Sequence, residues 1–209
     1  MSVPRIEKEI IRAKADEIRD EYAPGQLPVD IESLIDFGHG LTIQPVASLA
    51  ELSDAEAMAA ADGTIWVDLD QYMNERYQNR MRFSLAHEFG HWVLHRDTLK
   101  DLLIRPELPT DEALEYYLEA MRAMGDKDYS TLEYQANEFA GRLLVPVTAL
   151  RETITGLTAQ VRQYYKVYPG TDQETVAEYL APKICKKFNV SVEVIVRRIK
   201  YEEINLSAF

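Results

Sequence analysis

RFSLAHEFGHWVLHR, residues 82–96, is the stretch that decides how this chain folds and what it can do. It holds His87, Glu88 and His91 in an H-E-x-x-H arrangement. On a helix, positions i and i+4 lie one above the other, so two imidazoles at this spacing can reach one metal ion. The intervening Glu projects to the side, where it can hold a water. At about 100° per residue, with His87 at zero, His91, Ser84, His95 and Glu88 all fall within about the first 100°. Leu85, Ala86, Phe89, Trp92 and Val93 occupy most of the remainder, with Arg82 as the exception. A helix that is apolar nearly all round is buried. Its single polar stripe is made of ligand-type side chains, and one metal ion would satisfy them together. A buried helix is therefore predicted over about Asn74–Leu94, with His87 and His91 as metal ligands and Glu88 as general base. His95 lies one turn further on, and three roles fit it: support behind a ligand histidine, a transition-state donor, or a cap at the helix end.

A catalytic zinc takes three protein ligands and leaves a position for water. A local third ligand would be Asp97, but Leu94 stands where a chain reversal would need Gly. The stronger candidate is on EYQANEFAGRLLVP, residues 133–146, where Ala136, Ala140, Leu143 and Leu144 form an apolar stripe. Glu133 falls at the centre of that stripe, where a carboxylate is costly unless compensated. The small Ala136 and Ala140 would let two helices approach closely. Asn137, one turn from Glu133, is placed to hydrogen-bond a ligand histidine. Glu138 falls nearly opposite and is expected to face water.

Around these segments the chain reads as mixed α and β. Residues 5–22 are predicted helical, with Ile6, Ile10, Ile11 and Ile18 on one side and Pro24-Gly25 as the stop. A short helix follows Asp30 as N-cap, and His39 in its Gly-flanked turn reads as a surface residue. Leu41–Val46 reads as a strand, residues 47–56 as loop or helical turn, and AMAAADGTIWVDL as a hairpin turning at Asp62-Gly63. Residues 97–130 are acidic and partly helical, broken at Pro106 and Pro109. Helices are expected over about 132–144, 174–188 and 191–201. The expected organisation is a metal-binding domain over 1–147 and a helical, helix-turn-helix-like region over 148–209.

Composition narrows the function. The chain has 209 residues and a net charge of −12. Residues 1–147 carry 14 basic and 28 acidic side chains, whereas 148–209 carry 9 and 7. An acidic body argues against binding nucleic acid through its phosphates. The cations of the last helices (Lys183, Lys186, Lys187, Arg197, Arg198, Lys200) leave DNA as the lesser alternative. The lone Cys185 makes no internal disulfide. The charged N-terminal helix has no signal-peptide apolar core, and no stretch is apolar enough to span a membrane, so a cytoplasmic location is expected.

These segments resemble the ImmA/IrrE-type metallopeptidases. The matching pieces are P28-V-D with the helix and strand after it, GTIWVDL, RFSLAHEFGHWVLHR and EYQANEFAGRLLVP, spanning roughly residues 5–147. FNVSVEVIVRRI is similar to the helical end of such proteins. The resemblance implies an α+β, zincin-like helical domain with a small antiparallel or mixed sheet. It implies one zinc ion held by His87, His91 and Glu133, with Glu88 as catalytic acid/base. It also implies a substrate, a helix-turn-helix repressor or antitoxin-like regulator, cleaved in a stress response or mobile-element induction. An extended substrate is expected along the edge of the Thr64–Leu69 strand. The alternative is a metal-stabilised regulator that binds a repressor or DNA without cutting it.

Overall fold

In the computed structural model, which describes residues 3–60, 62–99, 108 and 110–209, the chain opens with helix α1 (Lys8–Tyr22). Its buried residues are Ile11, Ala15 and Ile18, at the spacing that keeps side chains on one helix face. Ile10, predicted on that face, is exposed. Asp30 accepts a hydrogen bond from the Ser33 N–H and opens α2 (Ile31–Ser33), which continues as a π-helical turn over Leu34–Gly38.

Strand β1 (Thr42–Val46) leads through α3 (Leu49–Ser53) to the hairpin of β2 (Ala57–Ala59) and β3 (Thr64–Asp68). The hairpin turns as expected at Asp62-Gly63. Asp62 Oδ1 accepts from the Thr64 N–H, and Gly63 takes a φ of 94°, a conformation that disfavours a side chain. The sheet order is β1-β3-β2, with β1 parallel and β2 antiparallel to β3, so the sheet is mixed. All five residues of β3 are buried, as befits a central strand, and Ile65, Trp66 and Val67 form its apolar run.

Helix α4 (Leu69–Tyr72) and a 3-10 turn over Glu75–Tyr77 precede α5 (Gln78–Leu99). Helix α5 starts later than predicted because the Asn74 side chain caps the 3-10 turn instead, accepting from the Arg76 N–H. Helices α6 (Thr110–Ala123) and α7 (Asp126–Leu144) follow. The breaks predicted at Pro106 and Pro109 lie outside the described residues.

Beyond α7 come α8 (Val147–Thr155), α9 (Thr158–Val167), α10 (Gln173–Phe188) and α11 (Val192–Tyr201). Asn189 ends α10 in the left-handed conformation, and Ser191 starts α11 by accepting from the Val194 N–H. The fold class is α+β, as the sequence implied. One apolar core draws Ile11, Phe89, Phe139, Leu150, Leu180 and Ile195 together from both sides of position 147.

Helix α7 packs against α5, α1 and α11. That sandwich overturns the expectation for Glu138. Rather than facing water it is fully buried, with Arg198 Nη1 at 3.0 Å and Arg12 Nε on its other oxygen. A single-helix wheel sees one apolar face. It does not see that α1 and α11 bring cations to the opposite one, where a buried carboxylate requires them.

Candidate metal centre

Helices α5 and α7 approach closely because Gly90 meets Ala136. A β-carbon on Gly90 would lie 3.3 Å from Ala136 Cα and 3.1 Å from Phe139 Cδ1. The contact sets His87 and His91 across from Glu133. The Nε2 atoms of the two histidines are 3.0 Å apart. Glu133 places Oε2 3.4 Å from His87 Nε2 and Oε1 3.4 Å from His91 Nε2. Donors around a tetrahedral ion at about 2.0–2.1 Å would be separated by about 3.3 Å, so these spacings suit a metal of that size, with each Glu133 oxygen facing one histidine. Glu88 is beside it, with Oε1 4.0 Å from His87 Nε2. His87, Glu88 and His91 offer ligand atoms that all lie within 4.8 Å of one another.

Each group is held from behind. Glu88 Oε2 accepts from the Ala59 N–H over 2.8 Å, tying the acid to the outer edge of β2. Asn137 donates from Nδ2 to the Glu133 carbonyl over 2.7 Å, and its side chain adds a small upward push to the His87 pKa. His95 is 1% exposed; its Nδ1 is 3.1 Å from His91 Nδ1 and its Nε2 2.7 Å from Gln135 Oε1. Because α5 runs on to Leu99, His95 does not cap the helix end. Asp97 is exposed. Ser84, the remaining member of the polar stripe, donates to Glu56 over 3.1 Å.

The environments of the two carboxylates drive their pKa values in opposite directions. Burial pushes the Glu88 carboxyl above its ordinary value, against the pull of His91 and His87. Burial acts the same way on Glu133, but its 3.4 Å contacts with His87 and His91 outweigh it and hold Glu133 below the ordinary range. Burial also disfavours a charged His87, yet its contact with Glu133 and the charge of Glu88 raise its pKa. His95 is pushed down to about 4, by burial first and by the charge of His91 second, and is therefore neutral near pH 7.

Two expectations are corrected here. Strand β3 offers no edge, because β1 and β2 flank it; the outer strand nearest Glu88 is β2. His39 is half-buried rather than free on the surface. Its ring lies between Tyr22 and Phe89, at centroid distances of 4.9 and 4.8 Å. Four of the C-terminal cations have partners within the chain, in keeping with helix faces packed on the body of the protein. Arg198 is buried on Glu138, Lys183 sits over the Tyr179 ring, Lys187 donates to Thr153, and Lys200 pairs with Glu174.

Sequence reasoning left four neighbours of the site unnamed. Gln135 is buried behind His95. The Ala59 N–H leaves no trace in residue type. Tyr117 of α6 packs on the cluster around Trp66 and Met58, and its phenol lies in the field of Glu88 and Glu133. Burial, followed by those two charges, raises its pKa. Tyr129 feels the same two carboxylates from α7 while remaining half-exposed.

An α+β fold that sets an H-E-x-x-H helix against a carboxylate on a second helix defines a metallopeptidase-type centre. The IrrE N-terminal-like domain family, peptidase M78, matches residues 72–200, more than half of the chain, and the protein belongs to that family. Among curated proteins none matches it. No helix among the described residues is long and apolar enough to cross a membrane.

Proposed function

We propose that the protein is a zinc-dependent endopeptidase whose substrate is a helix-turn-helix repressor or antitoxin-like regulator. The observation that carries this reading is the triangle of His87 Nε2, His91 Nε2 and the Glu133 carboxylate, with the Glu88 carboxylate beside it. His87, His91 and Glu133 would hold the ion. When bound, zinc supplies Lewis acidity, which brings the pKa of a coordinated water to about 7 and polarises a carbonyl.

The two carboxylates then divide the work. Glu133, kept ionised by the histidines, is suited to lasting coordination. Glu88, with its pKa raised by burial, is suited to taking a proton from water and passing it to the leaving amine. Ala59 holds that carboxylate by one oxygen and leaves the other toward the metal triangle. The Tyr117 phenol is the candidate donor to the developing oxyanion. The repressor as substrate is supported by the family resemblance alone.

Glu88→Gln tests the reading. Co-expressed with the regulator encoded beside it, the variant should keep its zinc and lose cleavage, seen as the disappearance of fragments on a blot. Fragments at the wild-type level would remove Glu88 from the chemistry.

A further inference from the structure

Behind His91 runs a chain of buried hydrogen bonds that ends outside the metal centre. His91 Nδ1 faces His95 Nδ1 at 3.1 Å, and His95 Nε2 faces Gln135 Oε1 at 2.7 Å. Gln135 Nε2 donates to the Pro4 carbonyl over 3.1 Å. Gln135, like His95, is 1% exposed. The segment bearing Pro4 is itself anchored: the Val3 N–H donates to Asp128 Oδ1 over 3.1 Å, and Val3 packs with Ala59 and Leu132.

The direction of this chain is set from its far end. A backbone carbonyl only accepts, so Gln135 must turn its amide nitrogen to Pro4 and its oxygen to His95. An oxygen facing His95 Nε2 requires the proton there, which leaves His95 Nδ1 as an acceptor. That acceptor in turn requires the proton of His91 on Nδ1 and leaves Nε2 with its lone pair toward Glu133 and His87. This is the tautomer in which an imidazole ligates through Nε2.

We propose that Gln135 is a positioning residue for the metal centre, fixing the tautomer and ring orientation of His91 through His95, with the Pro4 carbonyl as the anchor that gives the chain its sense. The proposal rests on His91 being a metal ligand. It assigns a role in metal affinity to a helix residue that touches no ligand, and to an N-terminal segment far from α5 in sequence.

The test uses the full chain and zinc ion alone. Zinc affinity is measured by competition with a chelator for wild type, Gln135→Met and His91→Ala. Imidazole tautomers are read from long-range proton–nitrogen NMR spectra of zinc-loaded wild type and Gln135→Met. Methionine keeps the length of the side chain and removes both hydrogen-bonding groups. In wild type His95 should carry its proton on Nε2 and His91 on Nδ1. Gln135→Met should lose the hydrogen-bonded His95 Nε2–H signal and bind zinc about 10- to 100-fold more weakly, the usual effect of removing support behind a ligand. Wild-type affinity in Gln135→Met, alongside loss in His91→Ala, would overturn the proposal and leave the ligand set intact. Undiminished affinity in His91→Ala would overturn the ligand assignment itself. Should Gln135→Met fail to fold, wild type alone decides: a proton on His95 Nδ1 in the zinc-loaded protein reverses the chain and refutes the proposal.

Discussion

Gly90 of α5 faces Ala136 of α7 so closely that a β-carbon at position 90 would lie 3.3 Å from both the Cα and the carbonyl oxygen of Ala136. This contact sets the separation of the two helices and with it the span between His87, His91 and Glu133. A methyl group here meets backbone, which cannot rotate away as a side chain could.

Gly90→Ala therefore tests the helix contact. Alanine improves helix propensity by up to about 1 kcal/mol, whereas overpacking a close contact costs about 1–3 kcal/mol. The second effect wins, and the variant should be about 1 kcal/mol less stable in a urea melt and bind zinc more weakly. A more stable variant with undiminished zinc affinity would show that the spacing is not set at Gly90.

Tyr117→Phe separates chemistry from metal binding. Its phenol lies in the field of both site carboxylates but is not among the groups that form the metal triangle. Loss of one oxyanion donor costs about 10²-fold in kcat, so cleavage should slow by that order while zinc content stays unchanged. An unchanged kcat would shift the role to Tyr129, the other phenol in that field.

A pH-dependent clasp joins α1 to α7. Asp16 accepts from Arg142 Nε at 2.9 Å and pairs with Arg19 at 2.7 Å. Burial favours its neutral form, but hydrogen bonds from Arg142 and Arg19 outweigh that and hold its pKa below the ordinary 3.8. A carboxyl with a depressed folded-state pKa adds stability above its unfolded pKa and loses it as pH falls through the folded one. Thermal stability should thus decline as pH drops below about 4, and Asp16→Asn should be less stable at neutral pH with a flatter decline. Parallel pH profiles for the two proteins would show that Asp16 contributes nothing to the acid limb.

The grouping of the candidate site could largely be read from the chain because its signals are local. His87, Glu88 and His91 are set by helical spacing, and Glu133 by a charge placed where α7 had to be apolar. What could not be read depends on neighbours. Glu138 looked solvated because nothing in its own helix announces that Arg12 and Arg198 arrive from positions more than a hundred residues earlier and sixty later. His39 looked exposed because its neighbours are glycines, yet Tyr22 and Phe89 enclose it. Gln135 drew no notice in the sequence because only the fold brings His95 and Pro4 to its two ends. The edge assigned to β3 failed because a parallel partner, β1, joins through a connection that strand patterning does not reveal.

The central claim is that a carboxylate from α7 completes a metal triangle begun by two histidines of α5. Elemental analysis of purified wild type and Glu133→Ala tests it directly. The account predicts about one zinc per wild-type chain, as three ligands plus water require, and loss of most of it in the variant. Full zinc retention by a folded Glu133→Ala protein would contradict it.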